Sequence, residues 1–397
     1  MPDVSIDVAR ARAETPGCAR VVHLNNAGAA LPPAAVTDAV VGYLKQEALG
    51  GGYETYNAEL EAVGRYRNAL AELIGAKPTE VAFMQNDTLG WATALWGLVH
   101  TGAVGRGSTV VVDRTVYVSH YLGLLQAKKY FGIEIRIADS DDTGTVDLGS
   151  LASLLDERVS MVALTHIGTH RGLVNPVAAA GAVIRRKSSA VYFVDGCQAL
   201  GHLPLDVRTI GCDVLTATGR KYLRAPRGTG LLFVSERIIE RVDPPGIDGS
   251  GANWIDGSNY ELAGDATRFE PFEASMATKV GLGVAADYAL GWGMEAISKR
   301  IVELAEGLRT LLEDIVGVEV LDGGRERCGI VTFREAGRTP AETQAMLLAA
   351  GINTSVTKDE SARLDMAERG VPSAVRASVH YYNTDAELER LVGALVP

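Results

Sequence analysis

"VDGCQALGHLPLDVRTIGCDVLTATGRKYLRAPRGTGLLFV", residues 194–234, is a series of short apolar runs cut by polar turns. One run ends on Asp195, with Gln198 three residues later. The next, 213–218, opens into Gly219-Arg220-Lys221, and 231–234 is apolar again. Arg220, Lys221, Arg224 and Arg227 share one loop in a chain whose formal net charge is −11. Either that loop is a solvated turn, or it holds an anion and one of its amines has a special task.

Working outward, the same alternation continues on both sides. Strands are expected at 80–84, 108–113, 133–138, 161–167, 190–195, 213–218 and 230–234. Helix-like stretches such as "GWATALWGLVH", "SHYLGLLQAKKYF" and "NPVAAAGAVIRRK" lie between most of them. Near-continuous apolar strands alternating with helices predict an α/β fold with a mostly parallel seven-stranded sheet covered on both faces. Ligands of such sheets bind in the crevice outside the carboxyl ends of the strands. Residues 235–275 are irregular, and a long helical pattern follows at roughly 275–313. Strands "GVEVLD", "GIVTF" and "AVRASVHYY" and helices "AETQAMLLAAG" and "DAELERLVGALV" complete a second α/β segment. The expected division is a large domain over 25–275 and a smaller one from 1–24 and 276–397.

The bulk numbers bound the function. A chain of 397 residues, 47% hydrophobic and 22% charged, has the composition of a globular protein. Its acidic balance argues against nucleic acid or an anionic membrane as the main partner. The four cysteines (Cys18, Cys197, Cys212, Cys328) show no paired or metal-ligand spacing, which suits a reducing compartment. No signal peptide or membrane-spanning run stands out, so the expectation is a soluble cytoplasmic protein without a metal.

The strand ends carry the chemistry. Asp195 and Gln198 follow one strand, Thr218, Arg220 and Lys221 follow the next, and "QNDTLGW" opens a helix after strand 80–84. A helix N-terminus seats phosphate, and Thr88, Thr218 and Arg220 are placed to complete the seat. One acid, one lysine and a phosphate cradle together suit pyridoxal 5'-phosphate. Its aldehyde takes a lysine, and its pyridine nitrogen is held protonated by a carboxylate. Neighbouring cations such as Arg220 and Arg227 would favour the neutral amine that Lys221 needs.

These residues resemble the signature of the class V aminotransferases, the group of cysteine desulfurases and isopenicillin N epimerase. "HLNNAGAALPP" (23–33), "THIGTHRGLVNP" (165–176), "RFE" (268–270) and "RASVHYYNTDAELERL" (376–391) match further landmarks. The resemblance implies the fold type I architecture of pyridoxal-phosphate enzymes and a homodimer with sites near its interface. It implies that Lys221 is the Schiff-base lysine and general base, and Asp195 the pyridine-nitrogen partner. Gln198 and Thr169 would approach the ring hydroxyl and Tyr117 would stack on the ring. Asp87, Thr88, Thr218 and Arg220 fall at phosphate positions; Asn26, Ala27 and Arg376 fall on the substrate side, Arg376 holding a carboxylate.

Two features depart from the pattern. Asp87 puts an acid beside the expected phosphate, so it contributes its backbone N–H or caps the helix. The stretch 353–373, read as a loop, has no cysteine where desulfurases need one. The expected activity is therefore chemistry at the α-carbon of a small amino-acid substrate, as a C–S β-elimination lyase or an epimerase, with an aminotransferase as the alternative. A non-catalytic pyridoxal-binding protein would lack Lys221 or Asp195, and a nicotinamide dehydrogenase would show a GxGxxG after an early strand, where this chain has only "GAVGRG". His166 and His170 either meet substrate or fill packed positions. Arg171 and Arg227 stay open as substrate-side or partner-subunit groups, and Cys197 is read as packing. Against the family pattern, Glu273 replaces a hydroxyl that would reach the partner's phosphate.

Overall fold

A computed structural model describes residues 5–396. The seven expected strands form as Val81–Met84, Thr109–Val112, Glu134–Ile137, Val159–Thr165, Val191–Asp195, Val214–Thr218 and Gly230–Val234. They make one sheet. From one edge, Val81–Met84 is followed by Gly230–Val234, Val214–Thr218, Val191–Asp195, Val159–Thr165, Thr109–Val112 and Glu134–Ile137. Gly230–Val234 is antiparallel to both neighbours, and every other pairing in the sheet is parallel.

Two buried clusters explain the near-continuous apolar strands. Phe83, Val162, Val194, Leu215 and Phe233 belong to one. Met84, Met161, Phe193, Val214 and Leu232 belong to the other. Alternate side chains therefore enter two cores rather than one core and water. The reversed strand has a local cause. Only the short loop 219–229 joins it to Val214–Thr218, and a connection that short suits antiparallel neighbours, whereas parallel ones need a crossover. Lys221 is thus held in a tight return at the carboxyl end of a central strand.

The expected helical pattern at 275–313 is two helices, Met276–Trp292 and Met294–Glu313, broken at Gly293 with φ 84°. The irregular stretch before them contains a hairpin, Ala252–Trp254 with Tyr260–Leu262. Beyond the helices lies a four-stranded antiparallel sheet in the order Val318–Val320, Ile330–Glu335, Ser373–Ser378, Ser355–Lys358. Ser355–Lys358 falls in a stretch read from sequence as loop. It is a four-residue edge strand with two hydroxyls and a lysine, too short and polar to show a strand pattern. The chain's beginning joins this region, Val22–His23 pairing in parallel with Ile352–Asn353.

Arg224 ties these parts together and is not a phosphate cation. It is 2% exposed and is the one non-glycine residue with positive φ (64°) among the described residues. Its guanidinium donates to Leu31 O at 2.8 Å, to Tyr381 Oη at 2.6 Å and to Thr15 Oγ1. It also lies 4.7 Å from the centre of the Tyr382 ring. A planar, five-donor cation satisfied by oxygens and aromatic faces needs no carboxylate partner. The lysine loop is thereby pinned to both ends of the chain.

Replacing Arg224 by Met leaves three buried oxygens without their donor. The expected loss is about 3 kcal/mol of unfolding free energy, read by urea denaturation of the cofactor-free protein. Arg224→Lys should recover only part of it, because an ammonium cannot reach all three directions at once.

Candidate active site

Two glycines shape the ground around Lys221. A Cβ on Gly219 would sit 2.4 Å from Thr229 Oγ1 and 2.8 Å from Ala225 Cβ, so the loop can fold on itself only with glycine there. A Cβ on Gly201 (φ 77°) would sit 2.5 Å from Leu223 N, where the turn after Asp195 presses against the lysine loop. This close approach brings Lys221 Nζ to 3.2 Å from Cys197 Sγ, with the lysine donating and only 7% exposed.

Asp195 ends its strand beside them. One oxygen accepts from Cys197 N at 2.8 Å, and the other lies 3.4 Å from His120 Nδ1. The opposite ring nitrogen of His120 meets Asp87 Oδ2 at 2.9 Å, and Thr216 Oγ1 donates to Asp87 Oδ1 at 2.7 Å. His120 stacks on Trp91 at 4.7 Å with 7° between the planes. All three ionisable groups are nearly sealed, at 4%, 2% and 7% exposure for Asp87, His120 and Asp195. Burial raises the Asp195 pKa, Asp87's charge adds to it and His120 opposes, leaving it at about 6. Burial also acts to raise Asp87, but the charge and hydrogen bond of His120 and the Thr216 hydroxyl outweigh it and lower it. For His120, burial lowers the value, and the two carboxylates overcome this and raise it. This geometry answers why an acid stands at Asp87: its carboxylate turns inward, away from the helix N-terminus, and only its backbone is left to face an anion.

The remaining candidates divide. Gln198 Nε2 donates to Thr169 Oγ1 at 3.3 Å and to Ala27 O at 3.2 Å. Arg376 donates to Thr169 O at 3.4 Å and Arg220 to Gly28 O. Tyr117 precedes the helix Val118–Phe131, with its ring edge-on to His120 at 6.2 Å. Thr218 Oγ1 donates to Thr229 O at 3.2 Å, and Thr88 is exposed on the first turn of the helix Asp87–His100. Asn26 is turned away from the site. Its amide nitrogen donates to Ser378 O at 2.7 Å and its oxygen accepts from Tyr382 Oη. Its side chain ties strands together instead, and the backbone at Ala27–Gly28 borders the site.

His170 bonds through Nδ1 to Thr357 Oγ1, and burial, with Arg376 and Lys221 nearby, lowers it to about 3. His166 is lowered to about 4 by burial alone. Arg171 pairs with Asp365 at 3.0 Å, while Arg227 and Glu273 are exposed and away from Lys221's contacts. "RFE" is structural: Glu270 accepts from Tyr66 Oη at 2.7 Å, Phe83 N at 2.8 Å and Arg67 at 2.9 Å. His120 was missed in the sequence. Its only mark there is a titratable residue inside an apolar helical repeat, a pattern that packing produces as readily.

The residues present fit pyridoxal phosphate. Gln198 Oε1 and Arg376 Nε are buried without partners, which is costly unless a ligand meets them. An amine, a carboxylate and a helix start whose Asn86 cap takes only Leu89 N lie around the same strand ends. Lys221 would take the aldehyde, Asp195 the ring nitrogen, Gln198 and Thr169 the ring hydroxyl, and Asp87 N with Thr88 the phosphate.

Comparison with known proteins agrees. The model of the aminotransferase class-V family matches residues 22–391, and the chain belongs to that family. A probable cysteine desulfurase of Methanothermobacter thermautotrophicus is 28% identical over 93% of this chain and 92% of its own length. The cysteine desulfurase of Cronobacter sakazakii is 28% identical over 95% and 93%. Among solved structures, the apo cysteine desulfurase of Thermococcus onnurineus superposes with a TM-score of 0.91, at 24% identity over 100% of this chain and 98% of that one. A complex of the cystine C–S lyase C-DES with cysteine persulfide gives 0.86, at 22% identity over 96% and 98%. The protein is a pyridoxal-phosphate-dependent enzyme of fold type I.

Lys221→Ala is expected to remove the visible absorption band of lysine-bound cofactor and to prevent borohydride from fixing the cofactor to the chain. Turnover should fall by about 10²–10⁴ through loss of the base alone. A variant that still retains cofactor covalently after reduction would show that another lysine holds it.

Proposed function

We propose that this class V family member is a carbon–sulfur lyase that removes the β-substituent of a small sulfur-bearing amino acid. The observation that carries the reading is the 3.2 Å contact between Lys221 Nζ and Cys197 Sγ. Cys197 is the one cysteine in contact with this lysine, and burial, followed by the charge of Asp87, pushes its thiol up to about 12. At neutral pH it stays S–H, and a thiol is a poor acceptor of sulfane sulfur compared with a thiolate. Cys18 lies beside Arg12 near the chain's beginning, Cys212 and Cys328 are buried elsewhere, and 353–373 holds no cysteine. Sulfur therefore leaves with the product rather than passing to the protein. The desulfurase names of the relatives and the C–S lyase name of a structural neighbour support a sulfur amino acid as substrate.

The residues divide the work. The bound cofactor supplies the electron sink for the pair left when the α-proton departs. Arg376, buried with Nε unpartnered, receives the substrate carboxylate beside Thr169. That orients the Cα–H bond toward Lys221, which takes the proton. Asp195 keeps the ring nitrogen protonated throughout. As the Cα–H and Cβ–S bonds break, a Cα–Cβ double bond forms and the sulfur leaves with both electrons of its bond. Hydrolysis of the released enamine yields a keto acid and ammonia.

We infer further that the working unit is a homodimer. Leu49, Tyr53 and Trp254 are 91%, 70% and 83% exposed, large apolar side chains that a second copy of the chain would cover. Among the described residues no helix is long and apolar enough to cross a membrane. With four unpaired cysteines, the cytoplasm is the proposed compartment.

Given L-cysteine or L-cystine, the holoenzyme should release pyruvate and ammonia with sulfide or a persulfide product, and mass spectrometry should find no added sulfur on the chain. Alanine with a chain-bound persulfide would establish desulfurase chemistry instead. An aminated cofactor would indicate transamination, and an inverted α-carbon epimerisation. Sedimentation should show a dimer, and a fully active monomer would refute that part.

A further inference from the structure

His120 lies between two buried carboxylates that the reaction does not need side by side. Oxygens of Asp87 and Asp195 are within 4.8 Å of each other. His120 meets one at 2.9 Å and the other at 3.4 Å, and the flat face of Trp91 fixes its ring. Two like charges this close in a dry site cannot both stay ionised without a cation between them. Lys221 favours both ionised carboxylates only weakly, because its nitrogen faces Cys197 and is committed to cofactor and substrate.

We propose that His120 is a positioning residue, a charged imidazolium that holds Asp87 and Asp195 ionised together so that Asp195 keeps the cofactor's ring nitrogen protonated. Every group facing the imidazole bears on its charge. Asp87 from the helix Asp87–His100 and Asp195 from the strand Val191–Asp195 favour it, while the Lys221 cation and burial oppose it. Trp91 and Tyr117 present rings to it. Thr216, by donating to the far oxygen of Asp87, keeps that carboxylate an acceptor toward His120. In this arrangement the acid that looked out of place beside a phosphate serves the opposite end of the cofactor. Without the imidazolium a proton returns to the pair, and burial together with the charge of Asp87 favours it on Asp195. A neutral Asp195 would leave the ring nitrogen bare.

The inference rests on the pyridoxal-phosphate reading of the site, and its test separates the two. Wild type, His120→Asn and the double variant Asp87→Asn, His120→Asn are loaded with pyridoxal phosphate labelled with ¹⁵N in the ring. The nitrogen resonance and the cofactor dissociation constant are then measured at pH 7.5. Wild type should show a protonated ring nitrogen. His120→Asn should show a largely unprotonated one and bind cofactor about tenfold more weakly. The double variant, relieved of the second carboxylate, should regain protonation. If His120→Asn keeps the wild-type resonance and affinity, or the folded double variant is no better than the single one, the inference is overturned. Wild type that takes up no cofactor would overturn the underlying reading as well. Should His120→Asn not fold, ¹⁵N-histidine spectra of the wild-type holoenzyme decide, the His120 signals being assigned by their displacement in Asp87→Asn. Two protonated ring nitrogens at pH 7.5 support the inference, and a neutral ring refutes it.

Discussion

Taking charge out of water at the carboxyl ends of a parallel sheet is the constraint on which this structure turns. An ionised carboxylate or ammonium in a dry site is costly unless partners surround it. Asp195 is raised to about 6 by burial even with His120 beside it, so the site has little margin for ionisation to spare. The arrangement around it reads as a response to that cost. Asp87 and His120 make a compensated set, Thr216 completes Asp87, and the backbone N–H of Cys197 completes Asp195. A cofactor with a protonated ring nitrogen would lower the same cost from the open side.

The same constraint explains the tight packing of the lysine loop. A flexible return between Thr218 and Gly230 would let water reach Lys221 and Asp195 and weaken each electrostatic contact. Glycine at 219 and 201 allows two backbone segments to touch, and Arg224 fastens the loop from behind. Arg224 and Lys221 share one turn but serve opposite surfaces. One is satisfied by carbonyl and hydroxyl oxygens in the core, while the other is left with a single soft acceptor.

Much of this was legible in the residues because strand ends and glycine turns leave local marks. The seven strands and the Asp195-x-x-Gln198 spacing each depend on neighbours in sequence. The parts that were not legible depend on neighbours in space. His120 looks like an ordinary helix position, and only the fold sets it between residues 33 and 75 positions away. Asn26 was expected to face a substrate because of its place in a motif, yet Ser378 and Tyr382, some 350 residues on, absorb its hydrogen bonds. Likewise the cation-rich loop suggested a phosphate cradle, whereas Arg224 is a core residue and Arg227 lies exposed. Ser355–Lys358 was hidden for a different reason, since an edge strand has too few buried positions to set a period.

Cys197 connects the fold to the choice of reaction. Its position is set by the turn that presents Asp195, so a side chain there must lie against Lys221 whatever its chemistry. Were it a thiolate, the lysine would be drawn into an ion pair and sulfur could be captured at the reaction centre. Burial decides otherwise, raising the thiol to about 12 despite the nearby ammonium. The proton stays on sulfur, and Lys221 keeps a weak partner that it can leave when cofactor or substrate arrives. The dryness that obliges Asp195 to have a counter-charge is thus what keeps Cys197 inert, and one physical condition underlies both the electron sink and the proposed release of sulfur into the product.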